Sequence, residues 1–392
     1  MPVVHGAQPL RTTVLAVASF LAFGALLVLY GANASELIDT LALDYEQFGR
    51  VGAMLSLGLG VGIVVAGPLI DRLPRRPLFV AACGLVVVST TTLDADTSYG
   101  ALLAHTVAIG FGAGFYETVL NALIVEDLGP KAPRRLIFVH AGATAAAATT
   151  PLLFEAMRSV SPLFWYDTFR LAGALHGFLI VGALFVPMSA PRGHADAPHS
   201  GSHATSIRRD DRRTLYAVCL ACFAYVGVES AATLFVADHA TSVLALDEAR
   251  AERTISAFWG GLHVGRLAIG LSPRPNGGGT IAALASVAAV FFVAFGQGMI
   301  DTPEIAMAGI GFFLGGVFPV MIGLAGLALP SAPGLAVGFA GGLGSLGGFV
   351  VPWATGVIAQ ASTLSLGLTT LGIWLALLVA GGAVAHHRLR DA

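Results

Sequence analysis

The chain has 392 residues, of which 56% are apolar and only 11% charged, and its formal net charge is -2; its mean hydropathy is positive. This balance lies outside the range of water-soluble domains. Near-neutral charge without a long basic run also excludes a nucleic-acid groove, leaving a lipid bilayer and a small solute as the expected partners.

Apolar runs of roughly 17 to 25 residues are long enough to cross a hydrocarbon core. In chain order they cover 12–34, 47–70, 77–93, 99–125, 135–157, 165–187, 214–236, 252–272, 279–300, 304–329, 334–360 and 365–385. The first could be a secretory signal, but no small-residue cleavage site stands out after it and many further spans follow, so an uncleaved helix is expected. The expectation is an all-α polytopic membrane protein with twelve transmembrane helices in two pseudo-symmetric six-helix bundles.

With the amino terminus in the cytoplasm, only Arg50, Arg158, Arg170, Arg250 and Arg253 of the 21 Lys and Arg residues fall on the outer side. That asymmetry obeys the positive-inside rule, predicting an inner (plasma) membrane protein with both termini cytoplasmic. Residues 188–213 are rich in Pro, His, Ser and Arg and lack apolar periodicity, the mark of a cytoplasmic linker. His194, His199 and His203 within it have no companion cysteine, so solvated side chains are expected there and no metal. The linker divides an amino-terminal bundle, 1–187, from a carboxy-terminal bundle, 214–392. Gly67, Leu69, Leu73, Arg76 and Pro77 recur in spacing as Gly265, Leu267, Leu271, Arg274 and Pro275, and Pro151 recurs as Pro352. A duplicated unit follows, with a solute cavity expected at the interface of its halves.

Cys83, Cys219 and Cys222 all lie in predicted helices, where buried packing is the expectation and a disulfide framework is not. The strings Gly58, Gly60, Gly62 and Gly110, Gly112, Gly114 superficially suggest a dinucleotide loop. No strand precedes either, so close helix packing is expected instead.

The stretch Gly67-Pro68-Leu69-Ile70-Asp71-Arg72-Leu73-Pro74-Arg75-Arg76 resembles the loop between the second and third helices of the major facilitator superfamily, with Pro74 where that family usually has glycine. Gly67 is expected to let the second span approach a neighbour closely. Asp71 can accept from a helix amino terminus or an arginine, and the basic cluster of Arg72, Arg75 and Arg76 would form a cytoplasmic latch between the halves. A purely topogenic cluster is the plainer alternative.

Within that superfamily the chain is most similar to the fucose, glucose and related sugar-symporter branch. The fourth span carries Gly114, Glu117, Asn121 and Glu126; the seventh carries Tyr225, Gly227, Glu229 and Ser230; the eighth carries Trp259, Gly260, Gly265 and Arg266. The resemblance implies proton coupling through Glu117. The carboxylate that fucose permeases carry within the first span has no counterpart, since Glu36 and Asp39 lie at its outer end, which argues against fucose itself. The Gly-Pro motif of drug antiporters is missing from the fifth span, and no arginine in the second span pairs with Arg266 as in nitrate porters.

An ionisable side chain inside a membrane costs on the order of 3 kcal/mol unless it meets a cavity or a partner. Glu117 and Asn121 stand at i and i+4, so both can face one cavity; the alternative for Glu117 is a permanently protonated glutamate bonded to a neighbouring helix. Glu229, one turn after Tyr225, fits a substrate contact and a structural ion pair equally well. Trp259, His263 and Arg266 fall on one stripe that could supply a stacking surface, a titratable donor and a charge, although a cytoplasmic latch is the preferred role for Arg266. Asn33, near the outer end of the first span, is a further candidate cavity donor. His105 and His176 are expected to be packing residues, and Gly315, Gly316 and Pro319 mark a place where the tenth span can bend.

These residues lead to a secondary transporter and not an enzyme. Its expected solute is small and polar, such as a sugar, and protons are expected to couple through Glu117, with Asn33, Asn121, Tyr225, Glu229, Trp259 and His263 binding the solute. A monomer without cofactor or metal is expected. The alternative is an exporter of amphiphilic compounds by proton antiport.

Overall fold

The computed structural model describes residues 8–70, 72–128, 132–188, 209–272, 277–300, 302–329 and 333–389. Asp71 and nearly all of the 188–213 linker, including its three histidines, lie outside the described residues, and the side chain of Glu126 does as well. The described backbone is helical throughout, with no strand. Its elements are α1 (Gln8–Ala32), α2 (Ala34–Leu41), α3 (Tyr45–Ile70), α4 (Arg75–Thr91), α5 (Tyr99–Leu128), α6 (Ala132–Arg158), α7 (Trp165–Leu184), α8 (Arg209–Ser242), α9 (Glu248–Leu271), α10 (Gly278–Gly296), α11 (Pro303–Gly315), α12 (Val317–Ala328), α13 (Pro333–Ala361) and α14 (Leu364–Leu389).

Every expected span falls on a helix, because a chain in hydrocarbon can satisfy its backbone N–H and C=O groups only within itself. Nine stretches among the described residues are long and apolar enough to cross a bilayer. The helices α4, α6 and α9 are not among them: α4 has only 17 residues, α6 is rich in Ala and Thr and low in strongly apolar side chains, and α9 carries Glu248, Arg250, Glu252, Arg253 and Arg266. An exposed stripe on α7 formed by Leu171, Leu175, Phe178 and Val181 presents apolar surface suited to acyl chains.

Two compact units emerge. One comprises Met1–Leu29 and Met54–Ser200, and the other comprises Tyr30–Ala53 and Gly201–Ala392. In the first, α4 packs against both α5 and α7, and Arg76 Nη2 donates to the Val186 carbonyl at 2.9 Å. His176 is buried there, with Nδ1 2.7 Å from the Ala172 carbonyl and Nε2 3.2 Å from the Tyr116 hydroxyl, so it is a hydrogen-bonded packing residue. In the second, α8 packs against α13 and α14, and α10 against α14. Here too the α1–α2 junction and the start of α3 lie against the carboxy-terminal helices: Ser35 Oγ is 2.9 Å from Thr241 Oγ1, and the Phe48 and Phe235 rings meet edge to face at 5.6 Å. Cys83, Cys219 and Cys222 are all free and buried.

One packing device occurs in both units. A Cβ added at Gly58 or Gly62 on α3 would strike the backbone of α5 at Val107 and Phe111, and one added at Gly110 or Gly114 on α5 would strike α3 at Leu55 and Leu59. In the other unit Gly261 and Gly265 on α9 lie as close to Ala308 and Phe312 on α11, and Gly311 and Gly315 lie as close to Phe258 and Leu262. Without a hydrophobic drive between helices in lipid, such backbone approach supplies the dispersion contacts that hold them together. The seams fix the register of the duplication and correct the sequence reading of it. Gly62, not Gly67, is the counterpart of Gly265, and a Cβ at Gly67 would meet no described atom within 4 Å. Gly67 therefore lies beyond the seam, and its expected role in close approach belongs to Gly58 and Gly62.

The tenth span differs from a continuous helix. It breaks at Gly316 into α11 and α12, three residues before Pro319, which has no N–H to offer the Gly315 carbonyl one turn earlier. Gly316 itself fits only as glycine, since a Cβ there would overlap the Ile269 side chain of α9.

Substitution at a seam is expected to force the helices apart. Gly62→Val and Gly265→Val should each cost about 1–3 kcal/mol by overpacking, whereas Gly67→Ala should stay within about 0.5 kcal/mol of the parent. Thermal unfolding of the purified protein in detergent, followed by fluorescence, checks this; equal midpoints for the valine and alanine variants would contradict the seam.

Candidate solute and proton site

In the first unit α5 carries Glu117 and Asn121 one turn apart, with the Asn121 amide facing the Glu117 carboxyl. Across from them on α6, His140 Nε2 lies 3.2 Å from Asn121 Oδ1, and the His140 ring packs on Phe20 of α1 at 4.3 Å between centroids. Glu117 and Asn121 are both half-buried, whereas Tyr116, next in sequence, is fully buried. The cluster is a carboxyl group whose neighbours in turn, Asn121 and then His140, carry no fixed positive charge. Sequence reasoning did not single out His140, though the same criterion that selected Glu117, an ionisable group within a span, was sufficient to find it.

In the second unit α8 carries Tyr225 and Glu229, again one turn apart. The Tyr225 hydroxyl donates to Glu229 Oε2 at 2.6 Å. Arg266 of α9 faces both groups, and its Nε donates to the Gly315 carbonyl at 3.2 Å. Phe318, just beyond the break in the tenth span, stacks on Tyr225 with centroids 5.7 Å apart and planes at 26°. Glu229 therefore has a cationic neighbour, whereas Glu117 has none among the described residues. The register set by the glycine seams places Phe318 where the first unit has Glu117, so an aromatic ring and a carboxylate occupy equivalent positions.

The remaining candidates are distributed as follows. Asn33 is buried at the α1–α2 junction, where its carbonyl accepts from Leu37 N at 2.9 Å. Trp259 is buried on α9 against Phe258, ring to ring at 6.0 Å, and its indole N–H has no hydrogen-bond partner among the described residues. His263 is half-buried on the same helix, between Trp259 and Arg266. Of the latch residues, Arg72 is exposed in the turn after α3, Arg75 is buried and Arg76 reaches the end of α7. Arg266 was expected at that latch, but its guanidinium is directed to Gly315, Tyr225 and Glu229. The physical reason is that a cation within a span seeks the nearest carboxylate and the nearest carbonyl left free by a proline. Among the described residues no group of three His, Cys, Asp or Glu side chains could hold a metal ion.

Comparison with known proteins agrees with this architecture. The family model described as Major Facilitator Superfamily matches residues 15–352. The uncharacterized MFS-type transporter YfkL of Bacillus subtilis (strain 168) is 25% identical over 186 residues, 46% of this chain and 45% of that protein. The putative metabolite transport protein YaaU of Escherichia coli (strain K12) is 30% identical over 106 residues, 26% of this chain and 23% of that one. The aligned part thus spans less than half the length of either relative. Among solved structures, a D-xylose-proton symporter superposes with a TM-score of 0.76 at 14% identity, covering 96% of this chain and 97% of that one. A bacterial homologue of the human lysosomal transporter Spinster superposes with a TM-score of 0.71 at 15% identity, covering 100% and 98%. With an all-helical build among the described residues, apolar helices of membrane-spanning length, a duplicated glycine seam and a family match over most of its length, this chain belongs to the major facilitator superfamily of transporters.

Proposed function

We propose that the protein is a secondary active transporter that moves a small, neutral polar solute, such as a sugar, by proton-coupled alternating access, most like the fucose and glucose type of symporter. The observation that carries this reading is the contrast between two half-buried carboxylates within spans. Glu117 faces neutral Asn121, with His140 beyond it, so it can take up and release a proton without breaking an ion pair. Glu229 faces Arg266 and accepts from Tyr225. Its charge is balanced locally, and it suits hydrogen bonding to solute hydroxyls. A site with its charges so paired favours a neutral solute over an anion.

In this reading Glu117 is the proton-coupling group, and Asn121, Tyr225, Glu229, Trp259, His263 and Asn33 contribute to binding. Residues 1–187 and 214–392 act as the two moving halves, joined by the 188–213 linker, and Gly67, Asp71, Arg72, Arg75 and Arg76 serve the cytoplasmic latch. The monomeric protein sits in the inner membrane with both termini cytoplasmic and engages no nucleic acid. The shared fold of a D-xylose-proton symporter supports the fold's capacity for this kind of work.

Proteoliposomes given a carbohydrate panel under an imposed proton gradient test the proposal. With one proton per solute, a gradient of one pH unit stores about 1.4 kcal/mol and drives roughly tenfold accumulation. Glu117→Gln is expected to reduce that ratio to about one. Undiminished accumulation in Glu117→Gln would overturn the assignment of the coupling group, and gradient-driven loss of an amphiphilic dye without sugar uptake would point to an exporter instead.

Glu229→Gln removes a charged acceptor, worth about 1.5–3 kcal/mol in hydrogen bonding. It is expected to raise the KM for the transported sugar by about tenfold or more. A KM equal to that of the parent protein would restrict Glu229 to a structural ion pair.

A further inference from the structure

The break in the tenth span leaves one backbone acceptor without its helical donor. In an uninterrupted helix the N–H of residue 319 would bond to the carbonyl of residue 315, and proline has none to give. In hydrocarbon an unsatisfied carbonyl is costly. The structure supplies a donor from another helix: Arg266 Nε lies 3.2 Å from the Gly315 oxygen.

The first unit serves as an internal control. By the glycine seams Gly114 is the counterpart of Gly315, which makes Thr118 the counterpart of Pro319 and Ile63 the counterpart of Arg266. Thr118 keeps its N–H, and its hydroxyl also donates to the Gly114 carbonyl at 2.8 Å. There α5 runs unbroken from Tyr99 to Leu128 and no arginine is needed. Where threonine gives way to proline, the helix breaks and an arginine appears opposite the freed oxygen.

That arginine also faces Tyr225 and Glu229, and the Tyr225 ring carries Phe318 from the far side of the break. Two links therefore run from the Tyr225–Glu229 pair to the break, one through the guanidinium to Gly315 and one through ring stacking to Phe318. Gly316, seated against Ile269, has no room for a side chain, so the break stays closely applied to α9.

We propose that Arg266 is a positioning residue that clasps the break in the tenth span through the Gly315 carbonyl and ties it to the Tyr225–Glu229 pair. A hydroxyl-bearing solute that engages Glu229 then releases part of the hold on Arg266 and frees α12 to pivot on α11. The solute half of this statement rests on the transport reading above; the clasp itself does not.

Amide hydrogen exchange of the full-length protein in lipid nanodiscs, read over residues 316–322, tests it without any solute. Arg266→Gln is expected to raise exchange there by about tenfold, the scale of one lost hydrogen bond to a charged group. Adding Pro319→Ala to that variant restores an N–H to Gly315 and is expected to return exchange close to the parent value, a repair that a general packing role for Arg266 would not give. Glu229→Gln, standing in for a carboxylate drawn away from Arg266, is expected to raise exchange in the same segment and leave α14 unchanged.

Parent-like exchange in Arg266→Gln, or a rise that Pro319→Ala does not repair, overturns the clasp. Parent-like exchange in Glu229→Gln overturns the tie to the pair. Should Arg266→Gln not assemble, Arg266→Lys with and without Pro319→Ala gives the same comparison, because lysine lacks the guanidinium fork that serves two acceptors at once. A confirmed clasp in a protein that shows no proton-driven accumulation would sink the transport reading alone.

Discussion

The chain must satisfy its own backbone. In a medium that offers no hydrogen bonds, each N–H and C=O along a span has to find its partner within the protein, and this single requirement accounts for the all-helical build. It also explains why helix association relies on glycine. When side chains gain nothing by leaving lipid for one another, backbones must come into contact, as α3 does with α5 and α9 with α11. The two seams use corresponding glycines, at positions where a Cβ has no room.

The same requirement gives meaning to the break in the tenth span. Pro319 removes a donor from a span, and Arg266 compensates from across a helix interface. Arginine is suited to this because its planar fork can serve a carbonyl and a second acceptor together while remaining charged. The cost of keeping that charge in a span is offset by the carboxylate it faces, and in this way a backbone defect and an acidic residue become parts of one network. At the other end of the same pair of helices, Arg250 bridges to both oxygens of Glu304, at 2.9 and 3.2 Å. The α9–α11 seam is thus fastened at two places by arginine.

Glu117 in one unit and Glu229 in the other differ in the charge around them. Glu117 is answered by an amide and an imidazole, and Glu229 by a phenol and a guanidinium. A proton can change the charge of the first without undoing an ion pair, while the second is held by its neighbours. The difference comes from the partners that other helices contribute, His140 of α6 in the first case and Arg266 of α9 in the second.

The sequence by itself determined the membrane solvent, the helical class, the positions of the spans and the family, because these depend on composition, run length and local motif, which require no knowledge of neighbours. It also located Glu117 with Asn121 and Tyr225 with Glu229, since residues one turn apart share a helix face. Only the tertiary structure decided that Gly62 and not Gly67 corresponds to Gly265, that His140 joins Glu117 and Asn121, and that Arg266 serves the break at Gly316. Each of these depends on which face of one helix meets which face of another, and the hydrophobic pattern of a span buried in lipid and protein alike carries almost no azimuthal signal. Proline at position 319 announced a bend from sequence alone; which donor would answer the carbonyl it freed was fixed by a helix fifty residues away in the chain.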